Sequence, residues 1–91
     1  MLSPNALPAM ITIVYFGPLK LLQPAGREAL PWAGGTTEAL LQLLRQRGPD
    51  WAEALAPERI FKLALNQRLL HGPAEIADGD EVAILPPVTG G

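Results

Sequence analysis

Asp78-Gly79-Asp80-Glu81-Val82-Ala83-Ile84-Leu85-Pro86-Pro87-Val88-Thr89-Gly90-Gly91 closes the chain. Asp78-Gly79-Asp80 reads as a tight turn, with Gly79 at the position that needs a positive φ. Residues 81–85 then alternate as a strand, Val82 and Ile84 inward and Ala83 and Leu85 outward. Neither Pro86 nor Pro87 can donate to a sheet ladder, and both hold φ near about −65°, so the strand stops and an extended tail, residues 86–91, leaves the body. Gly90 and Gly91 carry no Cβ, which makes a tip slim enough for a channel too narrow for ordinary side chains. Two terminal glycines alone would equally suit a frayed end. It is the turn, strand and Pro-Pro spacer before them that point to a working tail whose reactive group is the Gly91 carboxylate.

Working back from that strand, residues 61–65 predict another, with Phe61, Leu63 and Leu65 on one face. Asn66-Gln67 supplies turn chemistry, residues 68–71 return as a further strand, and Gly72-Pro73 ends it. Upstream lies the main helix. Thr36 is its N-cap, Glu38 sits in the first turn where the dipole favours a negative charge, and the helix runs to about Arg47, stopped by Gly48-Pro49. Its Leu40, Leu43, Leu44 stripe, widened by Leu41, is read as core. Residues 50–55 predict a short helical turn with Trp51 and Leu55 four apart, and Pro57 ends it.

At the other end, residues 10–16 read as the first strand, with Ile11, Ile13 and Tyr15 toward the core and Thr12, Val14 and Phe16 outward. The outward Val14 and Phe16 fit a partner surface, or else a strand covered on both faces. Gly17-Pro18 breaks this strand, residues 19–24 form a turn or one helical turn, and residues 27–32 form a weaker strand that Pro31 confines to an edge or a stop. Gly34-Gly35 reads as a loop. Residues 1–9 have two prolines and no periodicity, as expected of a loose leader, and Met10 offers an alternative start.

The order strand, strand, helix, strand, strand, strand predicts an α+β domain over residues 10–85. It is a β-grasp, with one main helix across one face of a mixed sheet of about five strands. Mixed pairing follows if the first and last strands lie side by side in parallel.

Composition narrows the chemistry. Ninety-one residues make one domain, too small for a deep catalytic cleft together with a cofactor fold. A net charge of −2 with scattered basic residues argues against nucleic acid. The chain has no cysteine, so any sulfur chemistry must use another group. No stretch approaches membrane-spanning length and no signal peptide is present, which predicts a cytoplasmic protein without a membrane partner. His71 is expected exposed at a strand end, and Asp78, Asp80 and Glu81 belong to a turn rather than a cation site. No nucleophile–base set, phosphate loop, metal site or tightly bound cofactor is expected, and the chain is not read as an independent enzyme.

Leu65-Asn66-Gln67, the Asp78-Gly79-Asp80-Glu81-Val82-Ala83 run and the Pro86-Pro87-Val88-Thr89-Gly90-Gly91 tail resemble the closing third of the small subunit of molybdopterin synthase, a ubiquitin-like sulfur carrier. The likeness extends more weakly over residues 10–91. It implies that a ubiquitin-activating-like enzyme uses ATP to adenylate the Gly91 carboxylate, and that a sulfur donor protein converts it to a thiocarboxylate. It also implies docking on a large subunit, two small and two large chains together, where sulfur passes to a cyclic pterin precursor of the molybdenum cofactor. By the same carry-over Phe16, Lys20, Leu69 and Leu85 contact the large subunit, and Pro86, Pro87, Val88, Thr89 and Gly90 thread its active site. Lys20 stands where arginine is common, which removes a bidentate contact, and residues 69–73 follow no spelling of the family. Two alternatives stay open: a carrier of the same fold for thiazole or cysteine synthesis, and a ubiquitin-like modifier or binding module.

Overall fold

Strand β1, Met10–Tyr15, pairs on one side with β2, Arg27–Pro31, antiparallel, and on the other with β7, Glu81–Leu85, parallel. These lie in a computed structural model that describes residues 9–57 and 61–86. On its far side β7 pairs antiparallel with β4, Lys62–Leu65, and β4 with β5, Arg68–Leu69, giving the order β2-β1-β7-β4-β5. The last strand is therefore the middle one. A two-stranded patch, β3 (Gly35–Thr36) against β6 (Glu75–Ile76), stands apart. Helix α1, Thr37–Arg45, contributes Leu40, Leu41 and Leu44 to the core, which also holds Leu55 from the end of the short helix α2, Pro49–Ala54. This is the mixed β-grasp expected. Alternation sorts the core: Ile11, Ile13, Tyr15, Val82 and Ile84 lie at 0–1% exposure, as a strand buried on one face requires.

Local chemistry explains the ends of these elements. Thr36 caps α1, its Oγ1 accepting from the Ala39 N–H at 3.4 Å. Gly79 has φ +86, and the Asp80 N–H donates to the Ala77 carbonyl at 3.0 Å, closing the turn before β7. Asn66 and Gln67 both adopt positive φ, +51 and +69, as a two-residue hairpin between twisted strands demands. The Asn66 side chain also ties that hairpin to the start of β7: its Oδ1 accepts from the Glu81 N–H at 2.9 Å and its Nδ2 donates to Asp80 Oδ1 at 3.0 Å. That bond, with one from the Ala77 N–H, holds the Asp80 carboxyl below its ordinary pKa. Pro31 closes the edge strand β2, where a missing donor is tolerated.

Several boundaries and faces differ from the sequence expectation. The inward stripe of α1 is Thr37, Leu40, Leu41 and Leu44, while Leu43 is 42% exposed. Thr37 completes the i, i+3, i+4, i+7 row because its polar groups are paired with Ala74: the Thr37 N–H donates to the Ala74 carbonyl, and Thr37 Oγ1 accepts from the Ala74 N–H. Gly35 is not in a loop but pairs with Ile76. The strand expected over 68–71 is only Arg68–Leu69. The helix stops at Arg45, and β4 starts at Lys62 rather than Phe61.

One polar knot crosses the layers. Glu28 of β2 receives the Tyr15 hydroxyl at 2.5 Å and both terminal nitrogens of Arg47, at 2.7 and 2.8 Å. Arg47 lies 4.7 Å above the Trp51 ring, and Trp51 meets Tyr15 edge-on at 5.7 Å between centroids. The Arg47 hydrogen bond, supported by the Tyr15 hydroxyl, pulls the Glu28 carboxyl below its ordinary pKa against the opposing effect of burial; the same contact raises Arg47. Burial first, and the Glu28 bond second, push the Tyr15 phenol up. Because the Glu28 pKa is lower folded than unfolded, its stabilisation is present above the ordinary carboxylate range and fades as pH falls through the folded value. Glu28→Gln is expected to lower unfolding free energy by about 1–3 kcal/mol at neutral pH, with the gap to the parent narrowing in acid, as urea titrations at several pH values will measure. Gln67→Gly removes a left-handed penalty of roughly 1–2 kcal/mol and adds an entropic cost of about 0.5–1 kcal/mol. A modest rise in melting temperature is the expected outcome by calorimetry.

Candidate docking face and tail base

The sheet has one face against α1 and one free of it. On the free face, register places Arg27, Val14, Ala83, Ala64 and Leu69 in a single row across five strands. Ala83 and Ala64, at 8% and 9% exposure, make the floor of this row, being short side chains low in the pleat. Leu69 stands up at its end, 51% exposed.

The next row toward the tail is Phe16, Leu85 and Lys62. Lys62 is the direct cross-strand partner of Leu85. Phe16 keeps extended dihedrals, φ −117 and ψ 153, and its N–H donates to the Ile84 carbonyl at 3.2 Å, so the parallel ladder runs one residue past Tyr15 and sets Phe16 beside Leu85. Its ring is 42% exposed. Three of the four expected contact residues, Phe16, Leu69 and Leu85, therefore share one face. Lys20 is exposed in the 3-10 turn Gly17–Leu21 that follows β1. Its stem runs toward Gly26 in the β1–β2 connection: a Cβ at Gly26 would lie 3.5 Å from Lys20 Cε.

Pro86 is half-buried and follows β7 directly. Pro87, Val88, Thr89, Gly90 and Gly91 lie outside the described residues, as do residues 1–8 of the expected leader. Ala9 is described, and its carbonyl accepts the Trp32 N–H.

Sequence reasoning passed over Lys62 and Gly17. Lys62 was findable, because putting Phe61, Leu63 and Leu65 inward puts Lys62 outward. Gly17 was read only as a strand breaker, yet a Cβ on it would stand 2.9 Å from Pro86 Cγ. Elsewhere, a groove of about 570 Å³ on the α1 side is lined by Leu41, Phe61, Leu63 and Leu70, with Glu38 and His71 beside them, and it holds none of the expected contact residues. Among the described residues no group of His, Asp or Glu is placed to hold a metal ion, and no helix is long and apolar enough to cross a membrane.

The profile of the ThiS family matches residues 13–91, which spans the free sheet face, the base of the tail and the tail itself. The chain belongs to the ThiS family. This ThiS-family chain is 34% identical over 82 residues to the molybdopterin synthase sulfur carrier subunit of Haemophilus influenzae, covering 90% of this chain and all of that protein. Against the molybdopterin synthase sulfur carrier subunit of Escherichia coli it is 38% identical over 84 residues, again 90% of this chain and all of the relative. Two solved structures share the fold: a putative molybdopterin converting factor subunit 1 from Pyrococcus furiosus, with TM-score 0.69 and 21% identity over 88% of this chain and 99% of the other. The second is the small archaeal modifier protein 1 from Methanosarcina acetivorans, with TM-score 0.68 and 22% identity over 94% of this chain and all of the other.

Phe16 and Leu69 are exposed and carry none of the core, so Phe16→Asp and Leu69→Asp are each expected to change unfolding free energy by only about 0.5 kcal/mol or less in chemical denaturation.

Proposed function

We propose that this ThiS-family chain is the sulfur carrier subunit of a molybdopterin synthase, bearing its sulfur as a thiocarboxylate at Gly91. The observation that carries the proposal is the match to two molybdopterin synthase sulfur carrier subunits along their whole length, at 34% and 38% identity. The fold agrees with it, because β7 is the central strand and the chain leaves it at Pro86 from the middle of the sheet, beside the exposed Phe16 and the half-buried Leu85.

The chemistry follows from the end group. A carboxylate resists attack at its carbonyl carbon until one oxygen becomes a good leaving group. An adenylating partner supplies that: the Gly91 carboxylate takes the AMP portion of ATP and pyrophosphate departs. A sulfur nucleophile from the donor then attacks the acyl carbon and AMP leaves; where that nucleophile is a persulfide on the donor, a thiol next attacks the donor-side sulfur, forming a disulfide with the donor and releasing the Gly91 thiocarboxylate. A chain with no cysteine suits this route, since the sulfur rides on the acyl carbon. This subunit supplies the cargo and the docking face; the large subunit supplies the pocket in which sulfur reaches the pterin precursor. On the free face Phe16, Leu69 and Leu85 give apolar contact with Lys62 beside Leu85, and Lys20 is exposed in the turn that follows β1, a pattern suited to an apolar partner patch with acidic neighbours.

Intact-mass analysis after incubation with the adenylating enzyme, ATP and a sulfur donor tests the proposal. One oxygen-for-sulfur exchange in the C-terminal peptide is expected, and none in a chain lacking Gly91. A bond to lysine of another protein instead would mark a modifier. Phe16→Asp is expected to weaken binding to the large subunit by about tenfold or more in titration calorimetry, with its fold unchanged.

A further inference from the structure

Gly17 and Pro86 meet where β1 and β7 end together. The Phe16 N–H donates to the Ile84 carbonyl, and the Leu19 N–H donates to the Phe16 carbonyl, so the backbone on both sides of Gly17 is held. Gly17 itself turns at φ +60 to start the 3-10 turn. Its bare Cα faces the Pro86 ring: an added Cβ would lie 2.9 Å from Cγ, 3.7 Å from Cδ and 3.8 Å from Cβ of Pro86. A separation of 2.9 Å is well inside the 3.5–4.0 Å at which carbon atoms rest. Something must then move, and Pro86 is the freer side. It has no N–H to give to a ladder, and it lies past the last rung of β7.

We propose that Gly17 is a positioning residue for the tail: its missing side chain lets Pro86 seat against the end of β1 and so sets the direction in which the chain leaves Leu85. The role is distinct from breaking β1, which the positive φ and Pro18 already do. It deepens the carrier reading given above and rests on it only for the loading assay, since the contact exists whatever the tail delivers. A tail that must enter a narrow partner channel tolerates little error in aim, because displacements near 1 Å cost reaction rate steeply.

Gly17→Asn separates aim from backbone strain, as asparagine accepts left-handed φ better than most residues but brings a Cβ. Gly79→Asn is its control, with φ +86 and open space around the added atom, at the opposite end of β7. Pro86→Ala removes Cγ and leaves only the Cβ, at the ordinary distance of 3.8 Å. The expected result is that Gly17→Asn slows sulfur loading about tenfold while Gly79→Asn stays within about twofold of the parent. Gly17→Asn combined with Pro86→Ala should load like Pro86→Ala alone. In residual dipolar couplings, the Leu85 N–H coupling should be unchanged by Gly17→Asn and the Pro86 Cα–Hα coupling should shift. Parent-like loading of Gly17→Asn, failure of Pro86→Ala to relieve it, or an unmoved Pro86 coupling overturns the proposal. If the parent chain takes up no sulfur, the carrier reading fails instead, and the Pro86 coupling alone decides the role of Gly17.

Discussion

The parallel pairing of β1 with β7 is the constraint on which the rest depends. It joins the first and last strands of the domain, so the ladder they share cannot form until the intervening chain has folded back. It also makes β7 a central strand, with β4 on its other side. A strand in that position is paired along both edges, and Val82, Ala83 and Ile84 are all buried. Everything that leaves β7 therefore leaves from a fixed point, and the outer face beside that point is fixed with it.

The layer over β1 and β7 is closed by packing and by the polar knot around Glu28. Leu40, Leu41, Leu44 and Leu55 supply area, whereas Glu28, Arg47, Tyr15 and Trp51 supply direction, tying the edge strand β2 to the ends of both helices. Both Glu28 oxygens are paired, and among the described residues no buried side-chain nitrogen or oxygen lacks a partner, the condition under which a part-buried charge supports a fold instead of straining it. In the sequence Arg47 marked only the approximate end of the main helix. Its fork geometry gives it a more specific use, since both nitrogens reach one carboxylate.

The legible parts of this chain were those whose signal is local. Gly79, the Asn66-Gln67 hairpin, the Thr36 cap and the faces of β1 and β7 all follow from a few neighbouring residues, and the order of elements points to the β-grasp; the parallel pairing of β1 with β7, between opposite ends of the domain, does not follow from the pattern. The pairing of Gly35–Thr36 with Glu75–Ile76 is two residues long on each side, too short for alternation, and the distance between its strands along the chain hides it. Leu43 was misplaced because the fourth member of the buried stripe is Thr37, which hydropathy alone would never choose. It is buried because Ala74 satisfies its hydroxyl and amide. At the candidate docking face, Phe16, Leu69 and Leu85 were named from family likeness; alternation already turned Phe16, Leu85 and Lys62 outward, and register adds that these and Leu69 lie on one face of one sheet. Gly17 carried a signal of the wrong kind: punctuation in the sequence, a packed surface in space.

The central place of β7 also has a mechanical consequence. Suppose a partner grips the tail while the body is held back by its remaining attachments. Because β1 and β7 run the same way, tension along β7 toward its end is resisted by β1 through the whole ladder at once, and by β4 on the other side. The hydrogen bonds are loaded in shear, together, and not unzipped one after another as on an outer strand. A pull on the end of the chain therefore meets the sheet where it resists most, and the sheet would hold.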